Sequence, residues 1–112
     1  MALRGRKVLL LGMAYKAGTS DWRESPSIIV ARKLAEFGAE LSYADPHVPV
    51  GADLGVDAAR VDFGADSLAA SDLVVVLVDH KEFDADTIAA HSPLVFDAKA
   101  MLRGHDINGE VL

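Results

Sequence analysis

Apolar residues gather in four short runs, and turn residues and one amphipathic stretch separate them. Lys7-Val8-Leu9-Leu10-Leu11-Gly12 is an apolar run closed by glycine. Ala39-Glu40-Leu41-Ser42-Tyr43-Ala44 is a second strand candidate, ended by the turn pair Asp45-Pro46. Leu73-Val74-Val75-Val76-Leu77-Val78 is continuously apolar and rich in β-branched residues, the pattern of a strand covered on both faces of a parallel sheet. Leu94-Val95-Phe96-Asp97 is the fourth run. Between the first two the pattern predicts a helix. Ser25 caps it, Pro26 takes the first helical position, Ile28, Ala31, Leu34 and Ala35 repeat at helical spacing, and Gly38 stops it. Asp66 to Ser71 and Asp84 to His91 read as two shorter helices. Residues 45–65 carry Pro46, Pro49, Gly51, Gly55 and Gly64, which predicts loop with one short strand near Val61.

Strands alternating with helices imply right-handed crossovers and an α/β fold, here a three-layer, Rossmann-like domain around a central parallel sheet. In such sheets ligands bind beyond the carboxyl ends of the strands. The segments to watch are therefore 12–24, 45–47, 79–83 and 97–103.

The chain has 112 residues, enough for one core and not for two, so residues 1–112 are expected to form a single domain. Its formal charge of −6 excludes a surface that coats nucleic acid or binds membranes through basic clusters. The longest apolar run, six residues at 73–78, is far below the roughly 20 that a membrane helix needs. The N-terminal residues offer no separate apolar region with a cleavage site, so no signal peptide is expected. Cysteine is absent, which removes disulfides, thiolate metal sites and a cysteine nucleophile from this chain. It also fits a reducing compartment, and a cytoplasmic location is expected.

The segment after the first strand, Gly12-Met13-Ala14-Tyr15-Lys16-Ala17-Gly18-Thr19-Ser20-Asp21-Trp22-Arg23-Glu24-Ser25-Pro26-Ser27, is the most informative. It lacks the three close glycines of a dinucleotide fingerprint and the Gly-Lys-Ser/Thr of a Walker loop. It offers instead two cations, Lys16 and Arg23, near a helix start. An ammonium and a planar guanidinium suit an anionic ligand such as a diphosphate or a sugar carboxylate. Equally, both can pair with Asp21 and Glu24 at the surface, and the residues alone leave both readings open.

In the same segment Gly-x-Ala-Tyr-Lys followed by Asp-x-Arg-Glu-Ser-Pro-Ser resembles the opening of the C-terminal, nucleotide-sugar-binding domain of the UDP-glucose/GDP-mannose dehydrogenase family. Tyr43-Ala44-Asp45-Pro46-His47-Val48-Pro49 resembles that family's motif after the second strand. Val78-Asp79-His80-Lys81-Glu82-Phe83 and Val95-Phe96-Asp97-Ala98-Lys99 resemble those that follow. The four lie in order along nearly the whole chain, and the form of the second is most similar to members acting on UDP-N-acetylhexosamines or UDP-glucose. The resemblance implies a parent enzyme of polysaccharide biosynthesis. It would oxidise C6 of the hexose to a carboxylate with two NAD, through a cysteine-bound thiohemiacetal and thioester. NAD and the cysteine would belong to an N-terminal domain, and this chain would be a domain cut from the larger dehydrogenase, inactive alone.

Residue by residue, the resemblance implies that Lys16 reaches the UDP-sugar with Tyr15 beside it, and that Arg23 contacts NAD held by a neighbouring subunit. Lys99 stands where the family commonly has arginine, so a point charge replaces a bidentate fork in that substrate contact. Glu24 would brace the loop. Partners would be the UDP-sugar, the N-terminal domain and a neighbouring subunit, with no nucleic acid and no membrane. The alternative is a stand-alone Rossmann-like binding or assembly module without catalysis.

Other candidates favour structural roles. Asp45 ends the second strand, where a Rossmann acid would bind ribose, but the following proline favours a turn. His47, His80, His91 and His105 form no His-x-x-x-His pair, so no metal is expected. His80 is expected to face solvent from its loop, with lining the cleft as the lesser reading. Asp79, Asp84 and Asp86 suggest a receiver-type phosphoacceptor, which is excluded because Gly12-Met13 stands where paired acids are needed. Trp22, the sole tryptophan, would mark a contact surface.

Overall fold

The computed structural model describes residues 2–14 and 25–111. Strand β1, Lys7–Leu11, leads to helix α1, Pro26–Glu36, and then to β2, Glu40–Ala44. A long connection carrying the two-residue strand β3, Ala59–Arg60, leads to α2, Ala65–Ala69. Strand β4, Leu73–Val76, helix α3, Ala85–His91, and strands β5, Val95–Asp97, and β6, Gly109–Val111, complete the chain. The order across the sheet is β3-β2-β1-β4-β5-β6, and every pair is parallel. This is the strand order of a Rossmann fold, reversing between β1 and β4.

Strand periodicity builds the three layers. Val8 and Leu10 point into one cluster with Ile28 and Ala31 of α1 and Leu41 and Tyr43 of β2. Leu9 and Leu11 point into the other, with Leu68 of α2, Ile88 of α3 and Val74 and Val76 of β4. All four residues of β1 from Val8 to Leu11 are fully buried, as the unbroken apolar run requires of the central strand. Helix α1 starts as its sequence predicts: Ser25 Oγ accepts from Ser27 N–H at 3.1 Å, and Pro26 opens the first turn. It stops at Gly38, whose φ of +87° ends the helix while its N–H donates to Ala35 O at 2.9 Å.

One strand escapes the sequence pattern. β6 is Gly-Glu-Val at the sheet edge, largely exposed, and too short and polar to show a period. Among the described residues, no helix is long and apolar enough to cross a membrane.

Gly12 fixes where the chain leaves the sheet. Its φ is +98°, and a Cβ there would lie 2.5 Å from Val78 Cβ, where the chain leaves β4. Gly12→Ala therefore meets both a left-handed backbone and a close contact. The expected loss of stability is about 2–3 kcal/mol, read from the urea midpoint at unchanged slope. A loss below about 0.5 kcal/mol would show that the Val78 strand exit yields freely.

Candidate functional site

Because all strands are parallel, the segments after β1, β2, β4 and β5 emerge along one edge, and a buried carboxylate organises that edge. Asp45, directly after β2, is 2% exposed. Its Oδ2 accepts the N–H groups of Met13 at 2.8 Å and Ala14 at 2.9 Å, the two residues beyond Gly12. The same oxygen lies 3.0 Å from Nε2 of His80, which is 1% exposed. Oδ1 accepts His47 N–H at 2.8 Å, closing an Asx turn across Pro46. With Asp45 ionised, His80 Nε2 is the protonated nitrogen, since a carboxylate only accepts.

Burial by itself would raise the Asp45 pKa. The amide hydrogen bonds from Met13, Ala14 and His47, with that from His80, outweigh it and hold the group below the usual 3.8. The turn expected at Asp45 is present, but its carboxylate also ties together three post-strand segments. The solvent-facing reading of His80 is overturned, because that ring is needed inside as a donor. Phe83 supports the ring at a centroid distance of 5.4 Å and packs on Phe63 at 5.2 Å.

Around this bracket lie His47, Glu82 and Arg60. His47 Nε2 is 2.8 Å from Glu82 Oε2, and the imidazoles of His47 and His80 lie 4.5 Å apart. The backbone N–H of Glu82 and the His47 ring hold the Glu82 pKa low. Arg60 Nη1 donates to the carbonyls of Asp45 and Val48, both at 2.9 Å, and so fastens the turn to β3. A cleft of about 290 Å³ opens here, lined by Asp45, Arg60, Asp62, Phe63 and Glu82 among others.

His47, His80 and Glu82 each offer one ligand atom, all within 4.8 Å of one another. Two imidazoles and a carboxylate suit zinc by donor type. Linear spacing could not show this group, because residue 47 meets residues 80–82 only through sheet order. His80 already bonds Asp45 and His47 already contacts Glu82, so an ion would have to displace existing partners.

The β5 end repeats the device. Asp97 is fully buried and accepts Lys99 N–H at 2.9 Å and Leu102 N–H at 2.7 Å. Lys99 itself is exposed on this edge. Tyr15, Lys16 and Arg23, with Asp21, Trp22 and Glu24, lie outside the described residues. Both flanks of their segment are fixed: Ala14 N–H is held by Asp45, and Ser25 Oγ donates to Ala14 O at 3.2 Å. Sequence reasoning missed the Asp45–His80 pair. The signal available for it was an acid after β2 and a histidine after β4, strands that flank β1 in this sheet order.

The sequence matches the UDP-glucose/GDP-mannose dehydrogenase family, UDP binding domain, over residues 9–104. It is 31% identical to a UDP-glucose 6-dehydrogenase of Rhizobium meliloti over 94% of this chain and 25% of that protein. It is 35% identical to a UDP-N-acetyl-D-mannosamine dehydrogenase of Methanococcus maripaludis over 86% of this chain and 23% of that one. The fold superposes on a UDP-glucose dehydrogenase from Pyrobaculum islandicum with a TM-score of 0.78 and 27% identity, covering 97% of this chain and 26% of that one. The chain thus spans about a quarter of the length of the relatives it matches.

The depressed Asp45 pKa makes a signed prediction. An acid whose pKa is lower folded than unfolded adds stability that is complete above the unfolded value of about 3.8 and disappears as pH falls through the folded one. Urea unfolding should show stability dropping over that acid window. Asp45→Asn should cost about 1.5–3 kcal/mol at neutral pH and flatten the acid fall. An unchanged acid limb in the variant would remove Asp45 as its source.

Proposed function

The chain belongs to the UDP-glucose/GDP-mannose dehydrogenase family, as its UDP binding domain, and from that premise we propose that it holds the UDP-sugar of a nucleotide-sugar 6-dehydrogenase. The observation that carries this reading is the family match over residues 9–104, on a sheet whose motif-bearing segments share one edge. In this reading Lys16 supplies a point charge to the diphosphate, Tyr15 is the aromatic next to it in sequence, and Lys99 adds a second cation from the β5 end. Ser25, Asp45 and Asp97 hold the ends of the segments that present them.

The parent enzyme oxidises the hexose C6 alcohol to a carboxylate with NAD as hydride acceptor, on a domain outside this sequence. Arg23 is this chain's contact to NAD on a neighbouring subunit. The sheet itself does not fit NAD, because Asp45 occupies the amides after β1 that would face a pyrophosphate. The chain carries no cysteine, so it supplies no thiol for covalent catalysis. The cytoplasm is the compartment consistent with this reading, and polysaccharide biosynthesis is the use of the product.

Calorimetric titration of UDP and UDP-sugars into the chain tests the proposal. Lys16→Ala should weaken binding roughly 10- to 100-fold, the worth of one charge-assisted hydrogen bond. Lys99→Ala should weaken it less, and Lys99→Arg should strengthen it. Arg23→Ala should leave UDP-sugar affinity within about twofold, because its ligand is the cofactor. Equal affinities for wild type and Lys16→Ala would sink the assignment. The chain alone should give no NAD reduction with UDP-glucose, and turnover above a protein-free blank would contradict the division of labour.

A further inference from the structure

We infer that Asp45 is a resident anion: its carboxylate fills the nest of the Met13 and Ala14 amides after β1 and keeps a nucleotide's phosphate out of that nest. In a Rossmann sheet that nest and the acid after β2 receive the dinucleotide, the amides facing pyrophosphate and the acid facing ribose. Here the acid is folded onto the amides. Gly12 N–H is spent on Ala44 O at 3.0 Å, so Met13 and Ala14 are the next N–H groups at the turn. Both donate to Asp45 Oδ2. His80 adds a third donor to that oxygen, and His47 N–H occupies Oδ1. Four donors already meet this carboxylate, three of them on Oδ2, and burial of its side chain keeps a ribose hydroxyl from the remaining site on Oδ1. A phosphate entering this nest would find the Met13 and Ala14 amides committed and a negative charge already in place.

The specificity consequence rests on the reading above: a sheet of dinucleotide-binding topology takes its ligand from cationic post-strand segments, because its own anion site is filled. The structure also provides access for a test, since Asp45 borders the 290 Å³ cleft.

The experiment uses the full chain and Asp45→Ala, with sodium formate, inorganic phosphate and NAD as probes and sodium chloride at matched ionic strength as control. Thermal midpoints and the amide resonances of Met13 and Ala14 are read. In wild type, formate should not move those resonances, and phosphate and NAD should not raise the midpoint as formate raises that of Asp45→Ala. In Asp45→Ala, formate should enter the vacated nest, shift both resonances saturably and raise the midpoint by about 5 °C or more over chloride. If Asp45→Ala is unfolded in chloride, recovery of the fold in formate is the supporting result, and no recovery at about 1 M formate overturns the inference. Asp45→Asn keeps the nest filled and should ignore formate; a response as large as that of Asp45→Ala overturns it. Saturable movement of the wild-type resonances by formate, or a wild-type midpoint rise of that size with phosphate or NAD, does so too. A wild-type chain that fails to bind UDP while the formate result stands would sink the nucleotide-sugar reading alone.

Discussion

A parallel sheet has a problem at its carboxyl edge: each strand ends with backbone N–H groups pointing past the ladder, and inside the fold they need an acceptor. This chain meets the need at β1 with one oxygen of Asp45, which accepts from Met13, Ala14 and His80. Removing that oxygen would leave the buried Met13 and Ala14 amides without this acceptor, each costing about 1–3 kcal/mol. The register of the segments after β1, β2 and β4 therefore depends on one charged group.

The same solution appears at β5, where Asp97 gathers the amides of Lys99 and Leu102. The two aspartates leave the ligand chemistry to other residues. Each consumes local amide donors, and in the proposed reading the binding groups are cations carried on the segments that follow. Glycine complements this at Gly12, where only a residue without Cβ lets β1 pass Val78 and turn its next amides toward Asp45. Backbone conformation, amide direction and carboxylate placement are thus a single arrangement.

The family gives that arrangement its use. The chain matches about a quarter of the length of dehydrogenases acting on UDP-glucose and UDP-N-acetyl-D-mannosamine. In the proposed reading, the Asp45 bracket and the Ser25–Ala14 bond fix the two ends of the segment that would carry the ligand contacts.

The sequence alone determined the α/β class, the positions of four strands and the main helix, and the family. These follow from local causes: runs of Val and Leu covered on both faces, a Ser-Pro helix start, a glycine stop, and four motifs in order. It also singled out the carboxyl edge as the place to look, since parallel strands put every post-strand segment on one side. Only the tertiary structure decided that His80 is buried and paired with Asp45, that His47 meets Glu82, and that the Gly-Glu-Val segment adds a sixth strand. The pairing of Asp45 with His80 spans 35 residues and depends on β2 and β4 both flanking β1. No local pattern encodes which strands become neighbours, because that choice is made by burying both faces of β1 at once.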